Sequence, residues 1–196
     1  VVVPECVGPV WRLHDLLEHV VGKRQQGRRR AETLPDASQR IFAHSEGGDR
    51  VGSFAWNTYR HLELYLGVPS SGAVLHTLNI RLFPEQISFV VNHAEDAVIF
   101  VDDVLVSTLE PLAKDFHGVR AYVVMGDGPL PATSLQPVYR YEDLLASAKE
   151  EYAFPKLDEN AAAGMCYTSG TTGNPKGVAY SHRSMVLHSF AQAMAD

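Results

Sequence analysis

A short segment of the chain, YTSGTTGNPKG at residues 167–177, combines three glycines, several hydroxyl side chains and one lysine. Glycines allow backbone N–H groups to approach a ligand closely, and successive N–H groups in such a loop create a concave site for an anion. Hydroxyls donate hydrogen bonds, and a lysine ammonium is a point charge suited to phosphate. The segment therefore carries the donors that a chain of phosphate groups requires. The hydroxyls belong to Thr168, Ser169, Thr171 and Thr172, the glycines are Gly170, Gly173 and Gly177, and the cation is Lys176.

This segment departs from two well-known glycine-rich nucleotide motifs. A Walker A motif has Gly, Lys and then Ser or Thr in succession, whereas Lys176 lies between Pro175 and Gly177. The dinucleotide-binding pattern G-x-G-x-x-G is absent from the chain. A polar hairpin between two strands, GMCYTS and GVAYS, is the structural alternative to a phosphate site. Residue types alone leave both interpretations open.

Predicted strands and helices alternate from about residue 50 onward and would position this segment at the end of a strand. The apolar run AVIFVDD is typical of a buried parallel strand, and Pro84 is a favourable first residue for a helix. Alternation at intervals of about 20–25 residues predicts βαβ units, and hence an α/β fold with a mainly parallel sheet covered by helices. The strands are predicted at 51–56, 73–79, 97–103, 119–127, 164–169 and 177–181, and the helices at 59–72, 84–95, 104–111, 141–151 and 181–195.

Composition restricts the class of protein. Hydrophobic residues make up 45% of the 196 residues, which allows a sizeable core, and the net charge of -6 does not favour nucleic acid as a partner. No apolar run approaches the roughly 18 residues of a membrane-spanning helix. The two cysteines, Cys6 and Cys166, form no C-x-x-C pair, and the nine histidines include no H-E-x-x-H motif. We therefore expect a cytoplasmic protein with no metal ligands in this sequence.

Residues 22–48 interrupt the regular pattern. Five of the eight residues at 23–30 are Lys or Arg, and the apolar periodicity disappears. Three interpretations are open: a solvated or disordered loop, a basic arm for nucleic acid, and a local disturbance of the reading frame in the coding DNA.

We expect structural roles for several residues with reactive or aromatic side chains. Cys166 is predicted to be a buried, unreactive thiol, because no basic residue adjoins it. His182 is predicted to begin a helix that is capped by Ser181. His76 is expected to pack within the sheet, and Trp56 to pack at the end of the first strand.

The segment YTSGTTGNPKG resembles, residue for residue, the phosphate-loop signature of the AMP-forming adenylating enzymes. The string HTLNIRLFPEQI, followed by NHAED, resembles the medium- and long-chain fatty acyl-CoA synthetase branch of that superfamily. YSHRSMVLHS after the loop is also similar, and the resemblance covers about residues 48–196. Residues 22–48 depart from it, since members of the superfamily usually have a strand pair and a long helix there.

The resemblance implies a fold, a reaction and a site. Residues 1–196 would form part of the N-terminal AMP-binding domain, without the small C-terminal domain. The complete enzyme would activate a fatty acid with ATP to an acyl-adenylate and pyrophosphate, and coenzyme A would then displace AMP to give acyl-CoA. The residues implied to hold the β- and γ-phosphates are Thr168, Ser169, Gly170, Thr171, Thr172, Gly173 and Lys176, with Thr172 and Lys176 as the catalytic, phosphate-positioning residues.

The resemblance also implies requirements that this sequence does not meet alone. Mg²⁺ would be bound by a Glu that belongs to a later motif, so these residues by themselves would be an inactive fragment. The implied partners are the fatty acid, ATP, coenzyme A and a second copy in a homodimer, in the cytoplasm or peripheral to a membrane. Two alternatives remain: an adenylating enzyme for another carboxylic acid, and a truncated, non-catalytic nucleotide-binding remnant.

Overall fold

The computed structural model describes residues 48–147, 154–168 and 175–194. Its strands are β1 Arg50–Phe54, β2 Val74–Thr77, β3 Asp96–Asp102, β4 Ala121–Met125, β5 Val138–Arg140, β6 Ala162–Thr168 and β7 Lys176–Ser181. They form one seven-stranded sheet in the order β5–β4–β3–β1–β2–β6–β7. All neighbours are parallel except β6 and β7, which are antiparallel. The predicted α/β fold with a mainly parallel sheet is confirmed.

Local sequence signals define where the helices begin and end. The hydroxyl of Thr58 accepts a hydrogen bond from the His61 amide at the start of the first helix. Pro84 is the first residue of the second helix, which ends where Glu95 adopts a left-handed conformation at φ 55°. The helices are α1 Tyr59–Ser70, α2 Pro84–Ala94, α3 Val106–Leu109, α4 Tyr141–Ser147 and α5 His182–Ala193.

Helices cover both faces of the sheet, and each face has its own group of buried side chains. On one face the sheet packs against α1 and α4, where Leu64 and Tyr141 are each 1% exposed. On the other face it packs against α2 and α3, where Ile87 and Leu109 are 2% and 0% exposed. Alternate residues of a strand face opposite sides of a sheet. Along β3, accordingly, Val98 and Phe100 belong to the first group and Ile99 and Val101 to the second.

The chain between β3 and β4 is less regular than the sequence predicts. The helical conformation predicted up to Pro111 is present, but it is divided, because α3 is a single short α-helix between two 3₁₀ helices, Asp103–Leu105 and Glu110–Asp115. Pro111 lies at the start of the second 3₁₀ helix, where its missing N–H is tolerated. Strand β5 was not predicted, since its three residues are too few to show an alternating pattern.

Two further expectations concern the ends of the described regions. The prediction that Trp56 packs at the end of the first strand is wrong for the described residues, since Trp56 is 48% exposed and lies two residues beyond the end of β1 at Phe54. Residues 22–47 lie outside the described residues, so the three interpretations of residues 22–48 stay predictions. Over the ranges that the structure describes, no helix has both the length and the apolar character needed to cross a bilayer.

Candidate phosphate-binding site

Strands β6 and β7 form a hairpin that brackets the glycine-rich segment. Thr168 is the last residue of β6, Lys176 is the first residue of β7, and their Cα atoms are partners in the antiparallel register. The neighbouring pair is Tyr167 with Gly177. Strand β6 is fixed in the sheet by parallel pairing with β2. The strands predicted on both sides of the segment are confirmed, and their antiparallel pairing brings the two ends of the candidate segment together at one end of the sheet.

The structure locates two of the seven predicted ligand-binding residues. The side chains of Thr168 and Lys176 are both exposed at the strand ends, so both are accessible to a ligand. The other five predicted residues lie outside the described part of the chain, and their phosphate contacts remain predictions. These residues are Ser169, Gly170, Thr171, Thr172 and Gly173.

Tyr167 is held from two sides next to the strand ends. Its hydroxyl oxygen is 2.6 Å from Nδ1 of His93 on α2, and its ring centroid is 5.1 Å from that of His76 on β2. Burial raises the pKa of the Tyr167 phenol, and the negative charge of Asp96 acts in the same direction, which keeps the hydroxyl protonated. A Cβ atom added at Gly177 would lie 3.0 Å from Cζ of Tyr167. Gly177 therefore leaves the space that this aromatic ring occupies across the hairpin.

Replacing Gly177 should test this packing. Gly177→Ala is expected to lower the free energy of unfolding by about 1–2 kcal/mol, because the new methyl group must displace the Tyr167 ring. Gly128→Ala is a matched control, since a Cβ atom at Gly128 meets no atom within 4 Å. Its effect should stay within about 0.5 kcal/mol. Urea denaturation of both variants measures the difference, and equal losses would contradict the proposed contact.

A buried histidine–aspartate pair lies close to Tyr167. Nδ1 of His76 is 2.8 and 2.9 Å from the two carboxylate oxygens of Asp96, and the two residues are 0% and 1% exposed. Burial raises the pKa of the Asp96 carboxyl, although the hydrogen bond and charge of His76 and the charge of Arg50 oppose this shift. The expected packing of His76 is confirmed. Its partner was missed, because one sequence does not give the register between strands.

An open cavity of about 380 Å³ lies next to Tyr167 and Gly177 of the hairpin. The guanidinium of Arg50 borders it and is itself held by the backbone oxygen of Ala94 at 2.6 Å and by the carboxylate of Glu95 at 2.5 Å. His93 and Tyr167 contribute the other polar atoms discussed above. The cavity wall consists of Arg50, His93, Ala94, Glu95, Met165, Tyr167, Gly177 and Ala179.

Of two further predictions for residues near the hairpin, one is wrong and one is confirmed. Cys166 is only partly buried, and its Sγ lies 3.9 Å from the hydroxyl of Tyr180, so the expectation of a fully buried thiol is wrong. Cys166 is the register partner of Val178 on β7, the strand at the edge of the sheet. The predicted helix start is confirmed, since Ser181 accepts a hydrogen bond from the Ser184 amide and α5 begins at His182.

Within the described ranges, no group of three or more His, Cys, Asp or Glu residues is arranged to hold a metal ion. The donors near the strand ends are instead a hydroxyl, at Thr168, and an ammonium group, at Lys176. The ammonium group attracts anions, whereas the hydroxyl can donate a hydrogen bond to an anion or accept one from a donor.

The mainly parallel sheet, with the β6–β7 hairpin at one edge, defines the fold as an α/β domain. An anthranilate CoA ligase solved in complex with anthranoyl-AMP superposes with a TM-score of 0.72, covering 86% of this chain and 34% of that chain at 19% identity. At that identity the likeness concerns the fold alone. Residues 43–196 match the family of AMP-binding enzymes, and the chain belongs to that family. The family predicted from YTSGTTGNPKG is confirmed.

Two curated relatives have higher sequence identity. A medium-chain-fatty-acid–CoA ligase of Ectopseudomonas oleovorans is 50% identical over 153 residues, which are 76% of this chain and 27% of the relative. A 3-methylmercaptopropionyl-CoA ligase of Ruegeria pomeroyi is 46% identical over 148 residues, covering 75% of this chain and 28% of the relative. The predicted similarity to fatty acyl-CoA synthetases is confirmed. The chain spans about a quarter of the length of these relatives.

Proposed function

We propose that the full-length protein activates a medium- or long-chain fatty acid, first to an acyl-adenylate with release of pyrophosphate and then to acyl-CoA with release of AMP. The observation that carries this proposal is the hairpin, in which Thr168 and Lys176 are direct partners at the two ends of YTSGTTGNPKG. The similarity to a ligase whose name specifies medium-chain fatty acids supports the substrate class.

We propose that the chain's own residues neutralise charge on the phosphates of ATP and hold these phosphates in position. The ammonium group of Lys176, exposed at the start of β7, would neutralise charge on the β- and γ-phosphates and on departing pyrophosphate. The hydroxyl of Thr168 would donate a hydrogen bond to the same group. We propose Thr172 as the second phosphate-positioning residue, and the ligand set is Thr168, Ser169, Gly170, Thr171, Thr172, Gly173 and Lys176.

The complete reaction also needs Mg²⁺ and coenzyme A. Mg²⁺ would reduce repulsion between the ATP phosphates and an attacking carboxylate. The described residues supply anion donors at the strand ends and no group of metal ligands, so we propose that the carboxylate ligands lie in another part of the full-length protein. We therefore propose that residues 1–196 belong to the N-terminal AMP-binding domain and are inactive when isolated.

The identity of the acid is the least constrained part of the proposal. A relative with 46% sequence identity to this chain is named a 3-methylmercaptopropionyl-CoA ligase. The acid in that name is short and contains a thioether. Activation of such an acid is therefore the second candidate function. We further propose a cytoplasmic location, because two cysteines without a C-x-x-C pair make only a weak disulfide framework, and a homodimer as the assembled form.

ATP–pyrophosphate exchange tests the proposed function directly. The full-length product of the gene is incubated with ATP, labelled pyrophosphate and one acid at a time: acetate, 3-methylmercaptopropionate, octanoate or palmitate. Exchange is expected to be greatest with octanoate or palmitate. A maximum with 3-methylmercaptopropionate would favour the second candidate. If none of the acids supports exchange, both candidate functions are overturned, and a non-catalytic nucleotide-binding remnant is favoured.

A further inference from the structure

The buried pair of His76 and Asp96 is not required by the phosphate chemistry proposed above. Ionisable side chains are rarely buried unless they are paired, because removing a charge from water is costly. This pair is bonded through Nδ1 of the imidazole, and Nε2 of His76 has no hydrogen-bond partner among the described residues. An apolar side chain would avoid that cost. Stability alone therefore does not account for a histidine at this position.

The pair reaches across an entire strand. Asp96 lies on β3 and His76 on β2, and β1 runs between these two strands. The β1 residue next to His76 in the register is Gly52. A Cβ atom at Gly52 would lie 3.1 Å from Oδ2 of Asp96, which is tighter than an ordinary contact. The carboxylate can therefore reach the imidazole because position 52 carries no side chain.

On its other side the imidazole contacts the aromatic ring next to the candidate site. The rings of His76 and Tyr167 are 5.1 Å apart between centroids, with an interplanar angle of 47°. Tyr167 immediately precedes Thr168, and its partner in the register, Gly177, immediately follows Lys176. A continuous set of contacts thus runs from Asp96 through His76 and Tyr167 to the strand ends.

We propose that His76, oriented by Asp96, is a positioning residue that fixes Tyr167 and thereby the strand ends carrying Thr168 and Lys176. This proposal rests on the proposed function, because it assigns those two residues to ATP. Its physical basis is that a reaction dominated by positioning can lose about 100-fold in rate when a group is misplaced by about 1 Å. The proposal predicts an effect on ATP that exceeds any effect on the fatty acid.

The first test compares two variants that each weaken a buried contact to a carboxylate. His76→Asn keeps an amide donor for Asp96 but removes the ring that contacts Tyr167. In pyrophosphate exchange it should raise the KM for ATP on the order of tenfold and leave the KM for the fatty acid within about twofold. Tyr141→Phe is the control, since it removes a hydroxyl 3.0 Å from the buried carboxylate of Glu63, on the other face of the sheet. It should leave both KM values unchanged.

The second test uses a milder change, which remains informative if His76→Asn does not fold. A Cβ atom at Gly52 would also lie 3.2 Å from Cγ1 of Ile99 and 3.2 Å from Cδ1 of Leu78, so Gly52→Ala should displace the Asp96 carboxylate and these two side chains by a few tenths of an ångström. We expect it to raise the KM for ATP about threefold. Its control is Ser53→Ala on the same strand, which removes a contact of 3.0 Å to Nε2 of His61. The full-length protein is also labelled with 3-fluorotyrosine, and the Tyr167 resonance is assigned with Tyr167→Phe. Gly52→Ala, whose three nearest neighbouring atoms do not include Tyr167, should shift this resonance, whereas Ser53→Ala should not.

The outcomes separate this proposal from the proposed function. A selective rise in the KM for ATP together with the fluorine shift supports the positioning role. An active wild-type enzyme in which the variants and their controls have the same KM for ATP overturns it. If the wild-type protein exchanges no pyrophosphate, the proposed function fails. The assignment to ATP then fails with it, while the fluorine shift alone shows whether His76 positions Tyr167.

Discussion

Lys176→Ala is expected to lower kcat/KM for ATP in the exchange reaction by about 100-fold or more. A single preorganised donor that stabilises developing charge is typically worth about 3–4 kcal/mol in the transition state. Lys176 is exposed at the start of β7, opposite Thr168, so its removal should leave the packing of the sheet intact. The loss should therefore appear in catalysis and not in the free energy of unfolding.

The control for this prediction is another exposed lysine of the described region. Lys156→Ala removes the same charge outside the strands and helices, and its kcat/KM should remain within about twofold of the wild-type value. Lys176→Arg should recover only part of the activity, because a planar guanidinium does not reproduce a compact ammonium group. Equal activity of the Lys176→Ala and Lys156→Ala variants would remove Lys176 from the proposed site.

Phe54→Ala is expected to lower the free energy of unfolding by about 3–5 kcal/mol. Phe54 ends β1 and is 0% exposed within the group of side chains that packs under α2 and α3. Truncating a fully buried aromatic ring removes apolar surface and leaves a cavity that close-packed neighbours fill only partly. Because domains are commonly stable by only about 5–15 kcal/mol, this variant should lose a large part of its stability.

Trp56→Ala provides the comparison for Phe54→Ala. Trp56 is 48% exposed, and its backbone N–H donates to Oδ2 of Asp102 at 2.7 Å, a bond that alanine retains. Its loss should be below about 1 kcal/mol, and guanidinium denaturation of the full-length protein measures both values. A loss for Trp56→Ala as large as that for Phe54→Ala would show that Trp56 packs against a part of the protein outside the described residues.

Long periodic segments were predictable from the sequence, and short or irregular ones were not. The seven buried residues of β3 and the Pro84 start of α2 carry strong local signals, so both were found. Strand β5 has three residues and is stabilised by pairing with β4. The 3₁₀ geometry around α3 reflects tertiary packing that residue types do not encode locally.

The candidate site shows the same division. YTSGTTGNPKG and its flanking strands were predictable because the donors are consecutive in sequence. The contact between His76 and Asp96 was not predictable from the sequence. It depends on the order of β2, β1 and β3 in the sheet and on the absence of a side chain at Gly52. Contacts between strands far apart in sequence depend on register, which a single sequence does not specify.

The position of β6 beside β2 also determines the order in which the chain can fold during synthesis. Strands β1 to β5 can assemble from neighbouring segments, with β2 paired to β1 along one edge. The other edge of β2 must wait for β6, which begins about 85 residues further along the chain. At about 5–20 residues per second, the ribosome exposes one edge of β2 for roughly 4–17 seconds. Throughout that interval the nascent protein presents an unpaired strand that another chain could join. Chaperone binding to nascent chains should therefore be strongest before Ala162 leaves the ribosome and should fall once β6 has paired.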